Sequence, residues 1–311
     1  MLASADNWVP ALGMLEEPRN SSNATEGPLT PDSDMWFTTL GSYARYGDIS
    51  ESPSFREKLW GFMLGIEFRI NDSLRGGVAG AFTKGRLEET SSRSISDNDS
   101  YKGILYALWD DEAQAGGYYA ESMFGFGQNR FDSGRWVAFL DRTAVSKHDG
   151  QDCFVSINGG HDWTLDRWRF GPTVGIEYVY LHEEGYEEHG AGAANLKIDS
   201  SDSDSLLSLL GYHAARSFPL EKVVVTTELR ARWDHDYLAD SESLHCRFTA
   251  AGSSFDISGR DGARDSFFLG ASLKISFGKN ITGYFDYDCM LRGSDGDRSH
   301  LFNAGLKILF K

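Results

Sequence analysis

Charged residues in this chain recur at every second position inside otherwise apolar stretches, and that spacing limits the chemistry they can do. Glu228, Arg230, Arg232 and Asp234 alternate with Leu229 and Trp233, in a stretch whose outward set begins at Val223 and Val225. Glu67 and Arg69 alternate with Phe62, Leu64, Ile66 and Phe68, and Glu177 alternates with Val174, Ile176 and Tyr178. Tyr284, Asp286 and Asp288 keep the same rhythm near the C-terminal end, and Lys307 joins them. A period of two sends these groups to one face of a strand and their apolar neighbours to the other. Mixed signs on the shared face predict a wet, ion-paired interior. That interior either stiffens a wall or lines a water-filled or segment-filled passage.

Catalysis asks for other arrangements. A barrel phospholipase needs a serine held by a histidine that an amide orients. His161, His213 and His235 have no such partners spaced along adjacent strands. A rim protease needs an Asp/His set that activates water, and Asp234-His235-Asp236 is the one candidate for it. No catalytic residue is therefore assigned.

The elements that must position these charges are strands. Alternation predicts twelve, near 35–47, 58–70, 73–86, 100–110, 116–129, 151–165, 167–182, 204–217, 222–236, 264–277, 281–291 and 299–310. A one-residue slip would put charges into lipid, at about 2–4 kcal/mol for a midplane Arg or Lys, so most registers are well fixed. The stretch 204–217 is the exception, because Leu206, Leu207, Leu209 and Leu210 fit either face. The connections alternate in length. Asn71-Asp72, Asp111 to Ala115, Asp166, Phe218 to Glu221 and Gly278-Lys279-Asn280 are tight, whereas 48–57, 87–99, 130–150, 183–203 and 237–263 read as long loops. Short turns at one rim and long loops at the other predict an all-β, transmembrane antiparallel barrel, its long loops outside the cell. The β-like stretches Arg135 to Leu140 and Arg247 to Ile257 are expected to be barrel strands extended above the membrane.

Composition agrees. No run of eighteen apolar residues is present, which excludes a helical span. A net charge of −16 argues against a nucleic-acid partner. Cys153, Cys246 and Cys289 show neither a disulfide framework nor metal-ligand spacing, and no cofactor or metal is expected. The acidic stretches are expected to be solvated surface. Residues 1–34 lack alternation and hold four of the seven prolines. They read as a linker, with a short helical patch near Trp8 to Glu17, long enough to thread a pore. No secretory leader is visible ahead of the barrel, so the chain is expected to be the C-terminal piece of something longer or to have its leader missing.

Taken in order, these segments resemble the β-domain of the classical monomeric autotransporters, the type V secretion translocators of Gram-negative bacteria. The likeness runs from Trp36 and Gly41-Ser42-Tyr43 through Gly76 to Gly80, Pro172 to Tyr178, and Asp202 to Gly211. It continues in Phe255 to Gly259, Phe285 to Asp288, and Ala304-Gly305-Leu306 with Phe310. The resemblance implies a monomer in the bacterial outer membrane, in contact with its lipids. Its own N-terminal segment or passenger would lie in the pore, displayed at the surface without catalysis. It also implies insertion by the barrel assembly machinery, which reads a C-terminal aromatic. Phe302 and Phe310 are the candidates, although Lys311 displaces Phe310 from the terminus. Some members cut their own passenger with lumen carboxylates and a junction asparagine, which would cast Asn20 or Asn23 with Glu67, Asp286 or Asp288. The linker at 1–34 favours the translocator at 35–311 over a passive porin-like channel or a rim-active protease.

Overall fold

The computed structural model describes residues 33–48, 53–111, 116–239, 243–250, 252–259, 263–278, 280–293 and 296–310. The expected linker, its helical patch, Asn20 and Asn23 lie outside them. Twelve strands close into an antiparallel barrel: β1 (Ser33–Tyr46), β2 (Phe55–Arg69), β3 (Leu74–Glu89), β4 (Ile95–Asp110), β5 (Gly116–Val137), β6 (Arg142–Leu165) and β7 (Trp168–Glu183), then β10 (Ser201–Pro219), β11 (Val223–Asp236), β14 (Asp265–Phe277), β15 (Ile281–Arg292) and β16 (Asp297–Phe310). Each barrel strand pairs with its neighbours, and β1 pairs with β16 from Ser33↔Phe310 to Arg45↔Arg298. Closure leaves no free edge in the wall, as a bilayer requires.

Burial alternates along each strand. In β2, Trp60, Phe62, Leu64, Ile66 and Phe68 are exposed, while the residues between them are buried. Leu105, Phe124, Phe126, Ile157, Ile176, Leu210, Leu229, Phe267, Leu269 and Phe302 continue an apolar belt around the outside. An apolar surface this continuous belongs in hydrocarbon. Trp109, Tyr118, Trp163 and Trp168 gather at the rim of short turns, at headgroup height. Within 204–217 the structure settles the register, with Leu209 buried and Leu210 exposed.

Two loop expectations are corrected. Residues 87–89 and 95–99 continue β3 and β4, and 130–137 and 142–150 continue β5 and β6, so only 90–94 and 138–141 connect these hairpins. Cross-strand ion pairs zip the extensions: Arg86–Asp97 at 2.7 Å, Lys84–Asp99 at 2.8 Å and Lys147–Asp132 at 2.5 Å. Above the membrane the outward face meets water instead of lipid, so charge replaces its apolar residues and the alternation that marks a strand fades. Asp141, at the tip of the β5–β6 hairpin, takes a left-handed φ of 51°, which a short polar side chain tolerates. The second correction concerns Arg247 to Ile257. They do not extend barrel strands but help build a separate four-stranded sheet of β8 (Tyr186–Glu187), β9 (Leu196–Ile198), β12 (Ser243–Phe248) and β13 (Phe255–Ser258), in the order β13-β12-β9-β8.

Leu196, Ile198 and Cys246 form the core of that sheet, with Tyr186, Leu244 and Phe255 against it. Burial pushes the Cys246 thiol up from its ordinary pKa, and the carboxylates Glu188, Asp199 and Asp256 push the same way. A raised pKa lowers the thiolate fraction, so alkylation of Cys246 should be slow at neutral pH and should accelerate as pH rises. Peptide-resolved maleimide labelling should show Cys246 reacting roughly tenfold or more slowly in the folded barrel than in urea. Equal rates in the two states would mean the sheet is not formed in solution.

Candidate functional site in the barrel interior

The inward faces bring the predicted charges together in two groups. Near the short-turn rim, Lys307 Nζ lies 3.1 Å from both Glu67 Oε1 and Asp34 Oδ2. Arg75 bridges Glu67 and Asp110, each at 3.2 Å. This chain of charges runs across β4, β3, β2, β1 and β16, so it ties the seam where the first strand meets the last. Arg69 departs from the group: it pairs at 3.4 Å with the exposed Asp72 of the β2–β3 turn.

The second group occupies the facing wall. Arg230 Nε donates to Asp288 Oδ1 at 2.9 Å and its Nη2 to Oδ2 at 2.6 Å, a two-pronged contact suited to the guanidinium fork. The same guanidinium lies 3.7 Å from Asp286 and 3.7 Å from Glu228. Arg169 extends the network to Glu228 at 3.8 Å and to Asp162 at 3.5 Å, and His213 meets Asp162 at 3.0 Å. Arg232 pairs with Asp234 at 2.8 Å and covers the face of Phe268. Glu177 is buried on β7. Tyr284 lies flat over Gly305 of the next strand, where a Cβ would come within 2.2 Å of the ring.

A third polar group was not foreseen. Lys102 pairs with Asp152, which also accepts from Asn129 at 2.6 Å. This part of the inner wall carries an apolar cluster, with Trp36, Leu40, Met63, Ile104, Met123, Phe154, Val179 and Leu301 buried together. Apolar residues on both faces erase the contrast that alternation relies on. Lys102 and Asp152 could have been found by counting parity along the strand from exposed Tyr101 and Val155.

The rim protease candidate does not assemble. Asp234 and Asp236 point inward, to Arg232 and to Ser205 Oγ (2.9 Å), whereas His235 points outward to Asp265 at 2.9 Å. Consecutive strand residues alternate faces, so these three cannot converge on one water. Among the described residues, no histidine ring is hydrogen-bonded to a serine hydroxyl. Nor does any cluster there have a metal site's make-up. Phe302 and Phe310 are exposed on the outer surface.

At the outer mouth, the segment carrying β8 and β9 folds against the inward side of the β5–β6 hairpin. Arg135 grips Glu188 with two hydrogen bonds of 2.8 and 2.6 Å. Val145 and His189 exchange backbone bonds of 2.8 Å, and Tyr186 stacks on His148 at 4.1 Å. Glu188 holds the Arg135 side chain above its ordinary pKa. β12 then pairs with β9, which carries the sheet over to the loop that follows β11.

The sequence model of the autotransporter β-domain matches residues 35–288. The translocator domain of NalP from Neisseria meningitidis superposes with a TM-score of 0.75 at 16% identity, covering 98% of this chain and 96% of that one. The β-domain of the Bordetella autotransporter BrkA gives 0.63 at 15% identity, covering 89% and 98%. An extracellular serine protease of Serratia marcescens is 24% identical over 90% of this chain, which spans 26% of that protein. Outer membrane protein B of Rickettsia typhi is 23% identical over 57% of this chain and 11% of its own length. The chain thus spans about a quarter or less of these two curated relatives. With its closed twelve-strand wall and this match, the chain belongs to the autotransporter β-domain family and is an outer-membrane translocator barrel.

Proposed function

We propose that this barrel passes an N-terminal passenger to the cell surface, anchors it in the outer membrane, and does no chemistry of its own. The supporting observation is how the match is distributed. It fills nearly all of this chain but about a quarter of the Serratia protease, so what is shared with that exported enzyme is the barrel. Glu67, Glu177, Glu228, Arg230, Arg232, Asp286, Asp288 and Lys307, with Tyr284 among them, would line the passage. Arg69 would sit at its periplasmic entrance. Ion-paired walls suit a passing chain because they leave few unpaired charges to hold it. Phe302 and Phe310 would present the outer face that assembly factors read.

The test is a fusion carrying a signal peptide and an epitope tag ahead of Met1, expressed in a Gram-negative host. Heat-dependent gel mobility reports folding, and protease added to intact cells reports the tag's location. A folded barrel whose tag is cut from outside is the expected result. A folded barrel with a protected tag would replace translocation with a porin-like channel.

A further inference from the structure

Three arginines stand side by side on the outer surface at the extracellular end of the wall. Arg45 of β1 is paired in register with Arg298 of β16 on one side and with Arg56 of β2 on the other. All three are exposed, on the same face as Tyr43, Trp60 and Phe302. Tyr43 lies one step towards the membrane, paired with His300 and Lys58, and the next step holds Phe302 and Trp60 opposite Gly41. The row therefore sits just above the aromatic edge of the apolar belt.

Like charges directly opposite one another destabilise a strand pair; where they recur on this surface, at Lys58↔Arg86 and Asp97↔Asp132, each group also has a partner of opposite charge. Arg86 is gripped by Asp97, Lys84 by Asp99, Lys147 by Asp132 and Arg130 by Asp149. Lys58 reaches Glu88 at 3.6 Å, and Glu88 is the residue opposite Arg56. Glu57 and Asp297, the neighbours in sequence of Arg56 and Arg298, are buried on the opposite face of the wall. Among the described residues, Arg45, Arg56 and Arg298 have no ion-pair partner. In a chain of net charge −16, three adjacent unpaired guanidiniums are an expensive arrangement unless an anion meets them.

We propose that Arg298, Arg45 and Arg56 bind the phosphate of a phosphorylated glycolipid in the outer leaflet, with its acyl chains lying on Tyr43, Trp60 and Phe302. A guanidinium takes phosphate oxygens two at a time, which an ammonium cannot do. Cross-strand neighbours stand about 5 Å apart, so one phosphate reaches two of the three, and a two-phosphate headgroup engages all of them. Height selects the ligand: an anion here must lie at headgroup depth while its hydrocarbon meets the belt below. The site rests on the outer-membrane location and not on translocation.

The test uses the full chain, refolded in detergent and mixed with lipid A, with chemically dephosphorylated lipid A as the second probe. Native mass spectrometry reads bound lipid. The folded protein should retain phosphorylated lipid A at least roughly tenfold better than the dephosphorylated form, given about fivefold per guanidinium near an anionic surface. The Arg45→Gln/Arg56→Gln/Arg298→Gln triple variant should lose that preference. The Arg130→Gln/Lys147→Gln control, which removes paired basic groups, should keep it. Should the triple variant fail to fold, three single Arg→Lys variants replace it, each expected to bind several-fold more weakly with charge retained. Equal retention of both lipids, or an unaffected set of arginine variants, would overturn the proposal. So would complete displacement by millimolar inorganic phosphate, because the site would then bind free phosphate and not a lipid.

Discussion

Arg230→Met should destabilise the barrel by about 3–5 kcal/mol, the usual cost of stripping the partner from buried charge. The Arg230 guanidinium lies within 4 Å of Asp288, Asp286 and Glu228, the last shared with Arg169. The carboxylate side chains are only 6%, 8% and 9% exposed, so little water reaches them when the guanidinium goes. Methionine keeps most of the volume, which separates lost charge from lost packing. Urea unfolding in lipid vesicles, followed by heat-dependent gel mobility, measures the effect. Arg230→Met/Asp288→Asn should recover more than half of it, since one uncompensated charge is removed. A loss below about 1 kcal/mol in the single variant would mean the interior is solvated enough to make the pair behave as a surface ion pair. Gly270→Ala should perturb the same contact from below, because its Cβ would fall 2.0 Å from Asp288 Oδ1 and 2.6 Å from Arg230 Nε.

That contact also shows where sequence reading stops. The inward direction of Glu228, Arg230, Asp286 and Asp288 was legible, because exposed Leu229 and Phe285 are their sequence neighbours and the alternation is unambiguous. Which carboxylate meets which guanidinium was not legible. Arg230 reaches Asp288 across an intervening strand, β14, and only the packed registers of three strands place them together. Lys307 and Glu67 are a stronger case, since β1 stands between them and their meeting exists only once the barrel has closed.

The strands themselves were legible wherever one face met lipid and the other met charge. They were lost where that contrast failed, and it failed in two ways. On β4 the inner face carries Ile104 and Tyr106 while the outer face carries Tyr101 and Leu105, so Lys102 stood out against neither. Above the membrane, paired charges such as Arg86 and Asp97 occupy the outward positions that carry apolar residues lower down, and the hairpins read as loops. The small outer sheet was hidden for another reason. β9 is three residues long and finds its partner, Cys246, only after β10 and β11 have crossed the wall and returned. Arg69 kept the right parity but lies at a strand end, where a long side chain can turn to Asp72 in the adjacent turn.

Parity also makes the second large prediction. Leu229 lies halfway along β11, is 69% exposed, and sits between Glu228 and Arg230, which face inward. Leu229→Arg adds to this strand a residue type that its neighbour already carries on the inner face. Only the direction differs. The new guanidinium enters hydrocarbon near the bilayer midplane and should cost about 2–4 kcal/mol, whereas Leu229→Phe should cost almost nothing. Moving the same pair to the rim gives the internal control. At Tyr178, which lies nearer the outer rim of β7 and reaches towards Asp204 at 3.4 Å, arginine should cost less than about 1 kcal/mol. Urea titrations of vesicle-inserted barrels would rank the three variants. Tolerance of arginine at 229 equal to that at 178 would require Leu229 to face water, which would reverse the wall of β11 and carry its inward charges into lipid.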